Sequence, residues 1–149
     1  LEEADVVIGD FPIGYYPVDE RSKEMKLGFD EGHSYSHYLL IEQAINALKG
    51  AGYAFLVVPS NIFTGDKVKQ LEKFIATDTE MQAFLNLPTT LFKNEKARKS
   101  ILILQKKQPQ ETKPVEVLLA NIPDFKNPQQ FQGFISELNQ WMDTNHTKK

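Results

Sequence analysis

The stretch that holds the most chemistry is Gly9-Asp10-Phe11-Pro12-Ile13-Gly14-Tyr15-Tyr16. A carboxylate, a turn stiffened by proline and two adjacent tyrosines together suit the capture of a planar ligand that carries an amine. Aspartate at such a place also caps turns on its own account, and Tyr15 and Tyr16 equally suit covering the end of a sheet. A second group, Lys93, Lys96, Arg98 and Lys99, crowds one short segment that Glu95 dilutes. Such cations contact phosphates and position nucleic acid without reading its sequence, or simply keep a loop solvated. His33 and His37 stand at the spacing at which two histidines share a helix face as metal ligands. No third ligand is placed near them, so we read both as solvated polar residues and expect no metal. The chain has no cysteine, which excludes disulfides and thiolate metal sites.

Asp10 needs an element to deliver it. Asp5-Val6-Val7-Ile8 is an unbroken apolar run stopped by Gly9-Asp10, as a strand buried on both faces reads. A long loop follows through Gly32, and such loops, uncommon inside a compact domain, are more often functional or mobile. Tyr38, Ile41, Ala44, Ile45 and Leu48 predict a helix from Tyr35 to Lys49, ended by Gly50 and Gly52. Tyr53 to Val58 is a second buried strand, closed by Pro59. Val68, Leu71, Phe74 and Ile75 share a face of the next helix, with Asp66 as its cap. Met81 to Leu87 and Ser100 to Leu104 are two more strands. The α/β alternation predicts a mostly parallel sheet. Its last two strands lack a helical connection, so they pair antiparallel. In open α/β sheets ligands bind beyond the carboxyl ends of the strands, which is where the first strand delivers Asp10.

Beyond Lys107 the pattern changes. Gln108 to Pro114 reads as a linker and Val115 to Leu119 as a further strand. Asn127 is a cap, with Pro128 in the first helical position and Gln130 three residues after the cap. Phe131, Phe134, Ile135, Leu138 and Trp141 form that helix's apolar face, and the tail from Asp143 is polar. We therefore divide the chain into an α/β unit at 1–107 and a linker, strand and packed amphipathic helix at 108–149. Net charge is -3, whereas a free-standing duplex binder usually carries a basic excess; any basic surface must be local. No run approaches the roughly 20 apolar residues of a membrane span. The start has neither an initiator methionine nor the features of a signal peptide. We expect a cytoplasmic protein and an excised piece of a longer chain.

Asp10-Phe11-Pro12-Ile13 with Gly14 resembles the motif of amino-methyltransferases: Asn or Asp, then Pro-Pro, then an aromatic residue, at the end of the fourth strand of a Rossmann-like fold. Ala47-Leu48-Lys49-Gly50-Ala51-Gly52, Phe55-Leu56-Val57-Val58-Pro59, Phe84-Leu85-Asn86-Leu87-Pro88, Phe92 and Lys99-Ser100-Ile101-Leu102-Ile103-Leu104 continue the likeness. From Asp5 to Lys107 the chain resembles the C-terminal half of class I S-adenosylmethionine-dependent adenine-N6 DNA methyltransferases. The succession looks like the modification subunits of type I restriction systems and their stand-alone bacterial relatives. The resemblance implies the C-terminal half of a Rossmann-like methyltransferase fold, with a mostly parallel sheet, an antiparallel final strand and helices on both faces.

It also implies methyl transfer from S-adenosylmethionine to an exocyclic amine, adenine N6 of DNA, in the parent protein. An adenine amine is a poor nucleophile because its lone pair is delocalised into the ring. Acceptors on its two N–H bonds, the Asp10 carboxylate and the Phe11 carbonyl, would favour a pyramidal nitrogen and free that pair, by fixed positioning and without a metal. Pro12 stiffens the turn; Ile13, Tyr15, Tyr16 and Phe92 shape the base pocket, which a duplex base reaches only by flipping out. Asp10 and Phe11 also face the methionine end of the cofactor, and Lys93, Lys96, Arg98 and Lys99 contact phosphate. Phe11 stands where the family has its first proline, and Ile13 where it has a stacking ring. The glycine-rich cofactor loop and the ribose-binding acid have no counterpart here. They belong to a missing N-terminal half, without which this chain is expected to be inactive. Related motifs act on RNA bases and on a glutamine amide, and a noncatalytic binding module on the same fold is the other alternative.

Overall fold

The computed structural model describes residues 3–12, 14, 17, 19–29, 33–108 and 116–146. Ile13, Tyr15, Tyr16, Val115 and most of the expected linker lie outside the described residues.

The elements are β1 (Ala4–Asp10), α1 (Asp19–Ser22), α2 (Ser36–Asn46), β2 (Leu48–Pro59), α3 (Val68–Asp78), β3 (Thr79–Asn86), β4 (Lys99–Lys106), β5 (Leu118–Asn121) and α4 (Pro128–His146). The strands form one sheet in the order β1-β2-β4-β3-β5. β1 pairs parallel with β2 and β3 with β5, while β4 is antiparallel to both its neighbours. Four strands therefore run one way and β4 alone returns. Only two short 3-10 turns, Thr89–Leu91 and Glu95–Ala97, lie between β3 and β4, too little for a parallel crossover.

Side chains alternate across a strand, and each face of this sheet has its own core. Ala54, Leu56, Val58, Leu102 and Leu104 face α2 and α3, packing with Tyr38, Ile41, Ile45, Leu71, Phe74 and Ile75. On the other face, Ala83 and Leu85 pack with Phe134 of α4, joined by Ile101, Ile103, Leu118, Phe131, Ile135 and Leu138. Helices thus cover both faces. Toward β1 the second face is bare: Val6 is 49% exposed and Ile8 79%. β1, expected to be buried on both sides, is an edge strand covered on one.

Element ends differ from the sequence reading in instructive ways. α2 stops at Asn46 and β2 already begins at Leu48, so Gly50 and Gly52 lie in the strand and do not end the helix. Leu48 is buried in the same core as the α2 residues, which extends the helical spacing of apolar residues past the helix itself. Gly52 is needed for close approach: a Cβ there would stand 2.9 Å from the Asp5 carbonyl oxygen. Beside it Ala51 takes φ 68°, and the β1–β2 register shifts between Ala4 and Val6. α3 starts at Val68 behind Lys67, with no side-chain cap bond, so Asp66 does not cap it. α4 begins as read, with the Gln130 N–H donating to Asn127 Oδ1 at 3.2 Å, and continues to His146 through the expected polar tail.

Candidate active site

Asp10 ends β1 opposite Val57 of β2, at the carboxyl end of the parallel strands. The next residue shows why this version of the motif lacks its first proline. The Phe11 N–H donates to the Val57 carbonyl at 2.9 Å, a bond that proline cannot make. The Phe11 ring is buried in the first core. Gly9 makes room for it, since a Cβ at Gly9 would lie 2.6 Å from Phe11 Cε1. Pro12 follows on the surface. The chain leaves the strand with Phe11 anchored and the Asp10 side chain 71% exposed.

Lys99 completes the geometry. It begins β4 opposite Pro59, while Asp10 lies opposite Val57, so both sit on the same face across β2. The Lys99 ammonium donates to Asp10 Oδ1 at 2.7 Å and to the Phe11 carbonyl at 3.4 Å. Its side chain is only 23% exposed. Lys99 thus separates from the cations it is grouped with in sequence. Lys93 and Lys96 are exposed, and Arg98 pairs with Glu95 at 3.7 Å. Phe92 is half-buried and ends the first 3-10 turn, its N–H donating to the Thr89 carbonyl.

A cleft of about 570 Å³ opens at the same end of the sheet, lined among others by Ser60, Asn86, Arg98 and Asn121. Beside it runs a polar ladder of four residues, at the ends of β2, β4, β3 and β5. Ser60 and Ser100 share a hydroxyl hydrogen bond at 2.7 Å, Ser100 Oγ donates to Asn86 Oδ1 at 2.6 Å, and Asn86 Nδ2 donates to Asn121 Oδ1 at 2.8 Å. Sequence reasoning gave these residues no site role because each is a lone polar side chain beside an apolar run.

Residues 26–29, between β1 and α2, are held from below. Glu42 of α2, 5% exposed, accepts the Leu27 N–H at 2.7 Å and the Lys26 N–H at 3.1 Å. Ser34 Oγ accepts the Phe29 N–H, and Gln70 Nε2 donates to the carbonyls of Lys26 and Gly28. A glutamate on the apolar side of a helix was the available signal for this anchor. His33 is exposed, but His37 is not the solvated residue expected. It is buried, stacked on Tyr35 at 5.3 Å, with Tyr38 edge-on at 5.2 Å. Burial pushes its imidazole down to about 4. No group of three metal-ligating side chains occurs among the described residues, and no helix among them is long and apolar enough to cross a membrane.

A sheet of this order, with a carboxylate, a backbone carbonyl and an X-Pro turn at the end of its first strand, defines the C-terminal half of a Rossmann-like methyltransferase fold. The family described as N-6 DNA methylase matches residues 1–148, and the chain belongs to it. A Bacillus subtilis protein, YtxK, is 38% identical over 141 residues, which are 95% of this chain and 43% of that protein. A Listeria monocytogenes structure, assigned to the class I S-adenosylmethionine-dependent methyltransferases, is 40% identical with a TM-score of 0.85, over 95% of this chain and 43% of its own. A chain assigned as a type I restriction modification subunit from Vibrio vulnificus shares the fold at 16% identity and TM-score 0.68, over 95% of this chain and 32% of its own. The chain thus spans less than half the length of these relatives.

Proposed function

We propose that this chain is the substrate-side half of an S-adenosylmethionine-dependent methyltransferase acting on an exocyclic amine, adenine N6 of DNA. One observation carries the reading. The Asp10 carboxylate and the Phe11 carbonyl converge on a single nitrogen, that of Lys99. Two acceptors that hold one ammonium have the spacing to hold the two N–H bonds of an amine. So held, the amine nitrogen turns pyramidal and its lone pair becomes available. Phe11, fixed by its backbone bond and buried ring, keeps the carbonyl in place without adjustment during the reaction. Ile13, Tyr15, Tyr16 and Phe92 enclose the base in this reading, and Lys93, Lys96 and Arg98 contact phosphates.

When bound, the cofactor supplies the electrophilic methyl group. Asp10 and the Phe11 carbonyl, as acceptors for a charged nitrogen, fit its methionine end. No glycine-rich strand-turn-helix stands among the described residues to cradle its nucleoside. We assign that cradle to an N-terminal half of the same protein, covering the bare face at Val6, Ile8 and Phe55 and adding strands beyond β1. In this division 1–107 completes the catalytic domain, and 108–149 links to it through β5 and α4. We place the reaction in the cytoplasm with the DNA, and expect this chain alone to be inactive.

Acceptor profiling of the full-length protein with methyl-labelled S-adenosylmethionine tests the reading. Label recovered as N6-methyladenine in DNA supports it. Label in RNA or on a protein glutamine would redirect it to those acceptors. No label anywhere, with no cofactor binding by calorimetry, would favour a noncatalytic module.

A further inference from the structure

The Asp10 carboxylate and the Phe11 carbonyl, the two acceptors of the proposed amine site, already share a donor in the Lys99 ammonium. Lys99 lies 89 residues after Asp10 and reaches back across β2 to both acceptors. A side chain that is 77% covered and holds the same two oxygens required of the substrate amine stands where that amine would stand, by the 23% exposure of Lys99. We infer that Lys99 is a specificity-determining residue: its ammonium is the resident occupant of the amine site, and an acceptor enters by displacing it. This rests on the amine-acceptor reading of Asp10 and Phe11.

The chemistry of the exchange selects the acceptor. Lys99 gives up one hydrogen bond to a carboxylate and one to a carbonyl. A primary amine or amide with two N–H bonds replaces both; a hydroxyl, with one donor, leaves the carbonyl unpaired. No bond to carbon forms or breaks in this step. The proton inventory is also unchanged, because the ammonium leaves as an ammonium. The freed cation is then available to an incoming phosphate. Because Asp10 is 71% exposed, the ion pair is weak and the barrier to exchange small, so removing it is worth up to about fivefold in acceptor affinity.

Two measurements on the full-length protein test this. Lysine side-chain Hε–Cε spectra of the free protein should show a Lys99 shift that moves in Asp10→Ala while those of Lys93 and Lys96 stay. A Lys99 shift that Asp10→Ala leaves unmoved overturns the inference. In methyl transfer to an adenine-containing duplex, Lys99→Met should lower KM about two- to fivefold, while Lys99→Arg, which keeps the cation, should not. An unchanged KM in Lys99→Met overturns the inference, and a raised KM does so as well by making Lys99 a phosphate contact only. A wild type that methylates no DNA sinks the acceptor reading instead, and the spectra still decide whether Lys99 fills the site.

Discussion

Replacing Glu42 of α2 should destabilise the protein by releasing the backbone of Lys26 and Leu27, which precede α2. Its carboxylate is 5% exposed and accepts backbone N–H bonds from Leu27 at 2.7 Å and Lys26 at 3.1 Å. A hydrogen bond to a charged group contributes about 1.5–3 kcal/mol, and a buried donor left unpaired forfeits a similar amount. Glu42→Gln retains one acceptor oxygen and turns an NH₂ toward the other amide, so it should cost about 2–3 kcal/mol. Glu42→Ala strands both amides and should cost about 3–6 kcal/mol. Urea unfolding of the full-length protein measures both, and hydrogen exchange at the Leu27 amide localises the effect. A Glu42→Gln variant within 0.5 kcal/mol of wild type, or one costlier than Glu42→Ala, would refute the reasoning, with about 0.5 kcal/mol being the level of an ordinary surface change.

Three further outcomes follow from the same structure. Gly28→Ala would drive its Cβ into the Ser22 carbonyl, and the resulting strain should lower stability by about 1–3 kcal/mol in urea unfolding. His37, with its imidazole held near 4 against 6.5, binds fewer protons folded than unfolded between those values. Its contribution is therefore complete above about pH 6.5 and lost as pH falls toward 4; His37→Phe should flatten that part of a stability–pH profile. Asn127→Ala removes the cap on Gln130 and should cost about 1 kcal/mol, read by thermal unfolding of α4.

The strands were legible because unbroken apolar runs stopped by Gly9-Asp10, Pro59 and Pro88 mark strands by composition alone, but the run before Gly9-Asp10 does not show that β1 is exposed on one face, at Val6 and Ile8. The antiparallel return of β4 followed from a connection with no helical pattern. Helix ends were less legible. Leu48 fits a helical face and a strand start equally well, and the reason for Gly52, the approach of Asp5 from β1, is visible only once β1 lies beside it. At the site, the sequence presents Lys99 as one cation among four. Only the sheet order, which puts β1 and β4 on either side of β2, turns it toward Asp10. His37 was misjudged for a related reason: the aromatic cluster of Phe29, Tyr35 and Tyr38 that encloses it is assembled by the fold of the loop.

The most direct test of the central claim compares methyl transfer by wild type and Asp10→Ala in the full-length protein, with labelled S-adenosylmethionine and adenine-containing DNA. Asp10 is 71% exposed, so its loss should leave the fold intact. If its carboxylate holds the amine, turnover should fall about 10²–10³-fold, the range for losing one fixed group that stabilises a transition state. Equal methyl incorporation by the two proteins would contradict the account.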